Sequence, residues 1–288
     1  CCHFGKTGPC TKAIIESGIK NIFISVLDPN PKVKGKGVRE LRSNGINVNV
    51  GLCRNLSEDI NRGFFSRIIR KTPFVIAKQA ISMDLKITNP KNKWITNRDS
   101  RKNVQYYRAK SCAILVSSKT IKSDNPALKA KLTKKDLDSK FLISQPIRVA
   151  LDSNLSLKPD KYKFFSGPEK KIVFNSLKNY FHKKKNIDFV KVKIDKSGLN
   201  LKEILNILAL KYEINNLFIE PGAKLLKTLL AKNLVDELIL YKSSNIVGKS
   251  GLRSFNDFNQ APKNTSISTH SVMKFSNDVR IIYKISRK

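Results

Sequence analysis

Residues 217–230 read LFIEPGAKLLKTLL, and the period changes in the middle of the stretch. Leu217, Phe218 and Ile219 form a short continuous apolar run, as a fully buried strand does, whereas Leu225, Leu226, Leu229 and Leu230 recur at helical spacing. Pro221-Gly222 punctuates the two halves. Strand, tight turn and helix is the unit from which a parallel sheet is built. The turn also suggests a site. A helix beginning after Gly222 offers backbone N–H groups without intrahelical acceptors, which favour a phosphate, and a glycine there lets a ligand approach the backbone closely. Glu220 falls at the carboxyl end of its strand, where open α/β sheets bind ligands. One glycine is not a dinucleotide fingerprint, and Glu220 taken alone reads equally well as a strand-end acid capping a helix.

The same alternation extends on both sides. FVIAKQAIS (74–82), SCAILVSS (111–118), PIRVALDS (146–153) and KKIVFNS (170–176) read as strands. TNRDSRKNVQYYRAK (96–110) and LKEILNILALKY (201–212) read as helices, the first behind a Thr/Asn cap. VDELILYKSS (235–244) and DVRIIYKI (278–285) are late strands with no helix between them, which predicts an antiparallel edge on a mainly parallel sheet. Lys78 interrupts the otherwise apolar strand 74–82, and such a lysine is costly unless paired or snorkelling to water. Upstream, TKAIIESGI (11–19), GVRELRSNGI (37–46) and SEDINRGFFSRIIRK (57–71) read as helices, the last with a Ser57 cap, and NIFISVLDPNP (21–31) and NVNVGL (47–52) contain short strands. Thr72-Pro73 separates this short α/β piece from the rest, so the expected domains are 1–72 and 73–288.

Composition narrows the class. Of 288 residues, 56 are Lys or Arg and 22 are Asp or Glu, a net charge of +34. A nucleic-acid-binding protein would show such an excess. Here the lysines are spread along the chain, and only KLTKKDLDSK (131–140) and FHKKKNIDFVKVKIDK (181–196) are dense, both reading as solvated surface. Compositional bias accounts for this better than a nucleic-acid interface, although a basic field still attracts phosphorylated ligands. No apolar run approaches the roughly 20 residues that span a bilayer. The five cysteines cluster towards one end, as suits a metal site in a reducing cytoplasm more than a disulfide framework.

The N-terminal words CCHFGKTGPC (1–10), DPNPKVKGKGVRELRSNGINV (28–48) and NRGFF (61–65), followed by NKWITN (92–97), SSKTIKSDNPAL (117–128) and IEPGAKLL (219–226), resemble the bifunctional riboflavin-biosynthesis deaminase/reductase family along essentially the whole chain. Gly8 stands where that family has the first of two prolines, and the H-x-E segment that would complete a zinc deaminase signature does not precede Cys1. The chain therefore reads as N-terminally truncated. The resemblance implies an incomplete cytidine-deaminase-like sandwich followed by a mixed-sheet domain resembling dihydrofolate reductase. It implies zinc ligands at Cys1 and Cys10, with Cys2 a non-ligand neighbour and His3 lining the loop. For the second domain it implies NADPH-dependent reduction of the ribosyl group of a phosphorylated pyrimidine to ribityl.

Residue by residue, the family pattern places Lys78 and Glu220 at the reacting sugar. It places Ala80, Trp94, Thr120, Asp124, Ser153, Gly222, Ala223 and Lys224 at the cofactor, and Asn92, Arg108, Leu128 and Lys131 with the substrate. Arg108 would hold the phosphate, a task that suits its fork of donors. Asn92 stands where the family has Ser, Lys131 where it has Arg, and Leu85 where it has Gly in the word S-x-D-G formed by Ser82 and Asp84. The expected partners are a small phosphorylated pyrimidine and, as an open expectation, further copies of the chain, with no specific nucleic acid and no membrane. The expected location is the cytoplasm. The rival readings are a basic nucleic-acid-binding protein and a reductase-only or regulatory paralogue.

Overall fold

The structure is a computed structural model that describes residues 2, 4, 7–31, 33–132, 136, 144–254 and 265–287. The chain divides into two compact units, Cys1–Thr72 and Pro73–Lys288. In the first, α1 (Cys10–Glu16), β1 (Asn21–Ile24), α2 (Lys36–Ser43) and β2 (Asn47–Val50) form a β-α-β unit with its two strands parallel. Leu41, Ile46 and Val48 are its buried centre, with Ile14, Ile22 and Val38 packed against them. Gly45, at φ +75°, turns the chain out of α2 as the Asn-Gly pair predicts. The segment expected as one helix from a Ser57 cap is instead α3 (Arg54–Ile60), α4 (Arg62–Phe65) and a π-helical turn at Ser66–Arg70. Cys53 adopts the left-handed conformation (φ 56°) and starts α3 early, so Ser57 lies inside a helix and caps nothing.

The second unit runs β3 (Phe74–Ile81), α5 (Arg98–Lys110), β4 (Ala113–Ser117), α6 (Ser118–Asp124), β5 (Ile147–Leu151), β6 (Lys171–Asn175), β7 (Tyr180–His182), β8 (Ile187–Lys191), β9 (Ile194–Asp195), β10 (Gly198–Leu199), α7 (Leu201–Leu210), β11 (Asn216–Ile219), α8 (Ala223–Ala231), β12 (Glu237–Lys242), β13 (Thr265–Phe275) and β14 (Asp278–Arg287). Ten strands form one sheet in the order β13-β14-β12-β3-β11-β4-β5-β6-β8-β7. From β12 to β8 the strands are parallel, while β14, β13 and β7 are antiparallel to their neighbours. Side chains alternate between two cores. Val75, Ala77 and Leu217 face α7 and α8 through Leu205, Leu208, Leu226 and Leu229. Ile76, Ile114, Val116 and Phe218 face Val104 of α5 and Ile121 of α6.

Two differences from the sequence expectation have a common cause. Residues 181–196 read as solvated, yet they contain most of β7 and all of the inner strand β8, whose Ile187 and Val190 are buried. The lysines that hide the pattern lie on the exposed positions of these elements and in the turn between them. β13 was not anticipated either: its side chains are almost all exposed, so no alternation marks it, and pairing with β14 is what holds it extended. Most of 131–140 lies outside the described residues.

Helix α5 is pinned at its start. Asn97 Oδ1 accepts from Ser100 N at 2.9 Å, and the buried Asp278 carboxylate accepts from Asn97 N at 2.8 Å and Ser100 Oγ at 2.7 Å. The turn after β3 takes a less comfortable course. Leu85, where a glycine was expected, adopts φ +61° without any substitution of conformation to avoid it. That backbone disfavours a side chain by about 1 kcal/mol or more. Leu85→Gly is therefore expected to stabilise the unit by about 1 kcal/mol, roughly 2–4 °C in Tm, in a thermal melt.

Candidate active site

The insertion of β11 between β3 and β4 creates the site. Phe218 pairs with Ile76 and Ile219 with Ala77, so the next step of the parallel register sets Glu220 beside Lys78 on one face of the sheet. α5 covers that face, with Tyr107 stacked on Phe218 at 5.9 Å between ring centroids. One residue further along α5, Arg108 donates from Nε to Glu220 Oε1 at 2.7 Å, and from Nη1 to the Lys129 carbonyl at 3.4 Å. The two side chains are 15% and 19% exposed, so the pair is largely withdrawn from water while still reaching the crevice.

On the β12 side, Lys78 Nζ lies 5.8 Å from the centroid of the Tyr241 ring. Tyr241 is fully buried and donates its hydroxyl to Asn103 Oδ1 at 2.6 Å, an oxygen that also accepts from Arg280 Nη1 at 3.1 Å. This supporting network escaped the sequence reading. The available signal was a tyrosine in the apolar run ELILYK (237–242), because a buried tyrosine hydroxyl needs a partner.

The three charges bias one another. Burial pushes the Glu220 carboxyl up, but Arg108 and Lys78 outweigh it and hold the group below the usual carboxylate range. Burial lowers Arg108, and Glu220 more than restores it. Lys78 is lowered chiefly by burial and further by Arg108, with Glu220 offsetting only part. One carboxylate between two cations leaves one positive charge without a compensating group in this cluster while Lys78 is protonated. A low-dielectric site of that kind favours an anion.

A second anion-suited feature lies at the turn that carries Glu220. α8 begins behind Gly222, no side chain caps it, and a Cβ at Gly222 would meet nothing within 4 Å. Gly222 has φ −72° and ψ 172°, extended backbone that any residue adopts, so the glycine leaves space above the helix end rather than permitting an unusual conformation. Gln79 holds the turn by donating from Nε2 to the Pro221 carbonyl at 3.2 Å, while Ser254 Oγ donates to Gln79 Oε1. Ala223 is half-buried and Lys224 exposed at the rim. An open helix N-terminus with an adjacent lysine fits the phosphates of a dinucleotide.

The remaining expected residues occupy varied settings. Ala80 is half-buried on β3, on the same face as Lys78. Ser82 donates to Asp84, and Asp84 accepts from Val247 N and Gly248 N, fastening two loops together. Those bonds, Ser82 first, hold the Asp84 carboxyl well below the usual range. Asn92 uses its Oδ1 to accept from Trp94 N. Trp94 is half exposed with the Arg101 guanidinium 4.6 Å from its ring centroid. Thr120 lies in α6 against Ser117, and Asp124 ends that helix, exposed and accepting from Ser123 Oγ. Leu128 points into the core at φ +50°, so only its backbone faces outward chemistry. Lys131 is exposed, its N–H donating to Gln105 Oε1, and the Ser153 carbonyl accepts twice from Ser176. Cys1 and His3 lie outside the described residues. Cys10 opens α1 and is exposed, and no three His, Cys, Asp or Glu side chains gather as a metal site among the described residues. The described side chains do not compose a zinc site.

Fold and site together define an open α/β domain whose central strands end, at their carboxyl side, in a crevice suited to anionic ligands. The family model described as the RibD C-terminal domain matches residues 73–281. The riboflavin biosynthesis protein RibD of Buchnera aphidicola is 37% identical over 257 residues, 86% of this chain and 68% of that one. The same-named protein of Aquifex aeolicus is 35% identical, over 89% and 72% of the two chains. Among solved structures, Acinetobacter baumannii RibD superposes with a TM-score of 0.86 at 28% identity, covering 99% of this chain and 78% of that one. The Thermotoga maritima diaminohydroxyphosphoribosylaminopyrimidine deaminase/5-amino-6-(5-phosphoribosylamino)uracil reductase gives 0.83 at 30% identity, covering 99% and 76%. The chain belongs to the RibD family of riboflavin-biosynthesis proteins.

Removing the central carboxylate should expose the energetics of the cluster. Glu220→Ala leaves Arg108 and Lys78 facing each other and is expected to cost about 3 kcal/mol in denaturant unfolding at neutral pH. Adding Lys78→Met to that variant should recover part of the loss, whereas equal unfolding free energies for the single and double variants would show that the charges do not interact.

Proposed function

We propose that residues 73–288 reduce the ribosyl group of 5-amino-6-(5-phosphoribosylamino)uracil to ribityl, with NADPH as the reductant. The domain is an NADPH-dependent oxidoreductase of riboflavin biosynthesis. The observation that supports the particular substrate is the Lys78–Glu220–Arg108 cluster, an excess positive charge beside a carboxylate at the end of the central strands. A sugar phosphate has both features such a cluster selects: a dianion for Arg108 and hydroxyls that can donate to Glu220.

NADPH, when bound, supplies hydride to the sugar C1, and the open N-terminus of α8 with Gly222, Ala223 and Lys224 would hold its phosphates. The chain's own residues do the rest. Arg108 holds the substrate phosphate away from the reacting carbon and so fixes the sugar in the crevice. Glu220 accepts hydrogen bonds from sugar hydroxyls, and its ionised state is secured by the two flanking cations. Lys78 Nζ holds the proton that the ring oxygen takes up as the C1–O bond breaks. The balance is one hydride to C1 and one net proton taken up. We place the reaction in the cytoplasm; no helix among the described residues is long and apolar enough to cross a membrane. Residues 1–72 are assigned as the C-terminal part of a deaminase domain, on the support of the Thermotoga relative's name and its coverage of this chain, and the zinc rests on the resemblance of residues 1–10 alone. No step is drawn through zinc.

NADPH oxidation with the ribosylamino-pyrimidine phosphate tests the assignment. Glu220→Gln should lower kcat about 100-fold with little change in cofactor KM. Arg108→Ala should raise substrate KM about tenfold or more with a smaller effect on kcat. Wild-type rates in both Glu220→Gln and Lys78→Met would refute the site.

The pH profile gives an independent check. Because Lys78 is lowered by burial, its protonated form is complete at low pH and is lost as pH rises through that lowered value. The basic limb of kcat should therefore fall at lower pH than an ordinary lysine would produce, and Lys78→Met should abolish that limb along with most of the rate.

A further inference from the structure

A second charge cluster, which the reaction does not use, lies behind the site. Arg148 on β5 is 1% exposed, an expensive place for a guanidinium. It is satisfied by donating from Nη1 to the carbonyls of Phe164 at 2.6 Å and Ala127 at 3.3 Å, and from Nη2 to the Ser166 carbonyl and to Glu169 Oε2, the last at 2.8 Å. The other oxygen of Glu169 takes Lys129 Nζ at 3.0 Å. Gln145 adds a two-point clamp on the same segment: its Oε1 accepts from Ala130 N at 2.9 Å and its Nε2 donates to Ala130 O at 3.0 Å.

These contacts converge on residues 127–130, a segment that would not hold its shape unaided. Leu128 sits at φ +50°, a conformation that leucine disfavours. The fit is tight on the other side too. Gly167 is at φ +79°, a conformation that favours glycine, and a Cβ there would lie 2.5 Å from Glu169 Oε2 and 2.9 Å from Lys129 Nζ, so a side chain would push both ends of that ion pair aside. The product of all this is the position of one carbonyl, that of Lys129, which accepts from Arg108 Nη1. Arg108 is thus held at two points of its fork, by Glu220 on Nε and by Lys129 O on Nη1, and its remaining donors are left for a ligand.

We propose that Arg148 and Glu169 are positioning residues for phosphate recognition: through Lys129 they set the carbonyl that orients Arg108. The inference rests on the assignment of Arg108 to the substrate phosphate. It predicts that a residue that touches no substrate governs phosphate affinity specifically.

The test compares Glu169→Gln, Glu169→Asp and Lys129→Met with wild type, using NADPH oxidation and inorganic phosphate as a competitive inhibitor. Lys129→Met leaves the Arg148–Glu169 pair in place and keeps the test informative where Glu169→Gln folds poorly. Both Glu169→Gln and Lys129→Met should raise substrate KM and the phosphate inhibition constant together, by about tenfold, while kcat stays within about twofold. Glu169→Asp should restore part of the phosphate affinity. A lower Tm with unaltered KM and inhibition constant would show a merely structural cluster and overturn the inference. Arg108→Gln separates the two levels. If it weakens phosphate binding while Glu169→Gln and Lys129→Met do not, the positioning inference alone fails. If Arg108→Gln changes neither constant, the site assignment fails and the inference with it.

Discussion

A carboxylate held between two cations, largely out of water, is the constraint around which the reductase domain is organised. Burial works against the charge on all three groups: Arg108 and Lys78 are what bring the Glu220 carboxyl below its usual range, and Glu220 opposes the effect of burial on both cations. The three come from β3, α5 and the end of β11, elements far apart in the chain. Bringing them together requires the late strand β11 to insert between β3 and β4, and requires α5 to lie across that face with its first turn pinned to Asp278. The fold is therefore not a neutral scaffold. Its strand order is what sets a carboxylate beside a lysine that an apolar strand would otherwise exclude.

While Lys78 is protonated, the arrangement carries one positive charge more than it neutralises. In a solvated surface cluster this would matter little, because water and salt would screen it. At the end of buried strands, with Arg108 and Glu220 mostly covered, screening is weak and an anionic ligand would complete the balance. On the proposed function, substrate phosphate and cofactor phosphates have separate positions: the first at the Arg108 fork, the second at the uncapped start of α8. Both lie at the carboxyl end of the same strand-turn-helix unit, and Gln79 fastens that turn to β3 from the opposite face of the sheet. Behind the fork, Arg148 and Glu169 fix the segment against which Arg108 leans.

Much of this was legible in the sequence because burial leaves a trace there. The strands β3, β4, β5, β6, β11 and β12 are apolar runs because both faces are covered, and Lys78 stood out for the same reason. Glu220 and Gly222 were visible from the change of period around Pro221. At Gly222 the backbone is ordinary, and what the glycine supplies is the room for close approach that the sequence suggests. Elements without buried faces left no trace: β13 has almost no covered side chains, and the lysines around β8 masked Ile187 and Val190. Side-chain networks were the least visible. Nothing in one dimension links Arg148 to Glu169, or Tyr241 to Asn103 and Arg280, because those partners are chosen by strand order and helix packing. Leu85 shows the opposite case, a residue that departs from the family pattern and yet keeps the left-handed turn that a glycine would take more easily.

The most direct test of the central claim is a coupling measurement between ligand and protein. Calorimetric binding of the ribosylamino-pyrimidine with and without its phosphate, to wild type and to Arg108→Gln, closes a thermodynamic cycle. The account predicts strong non-additivity: loss of the phosphate weakens binding to wild type about tenfold or more and barely changes binding to Arg108→Gln. Equal losses in both proteins would mean that the phosphate is held elsewhere, and would contradict the claim that the Lys78–Glu220–Arg108 cluster receives it.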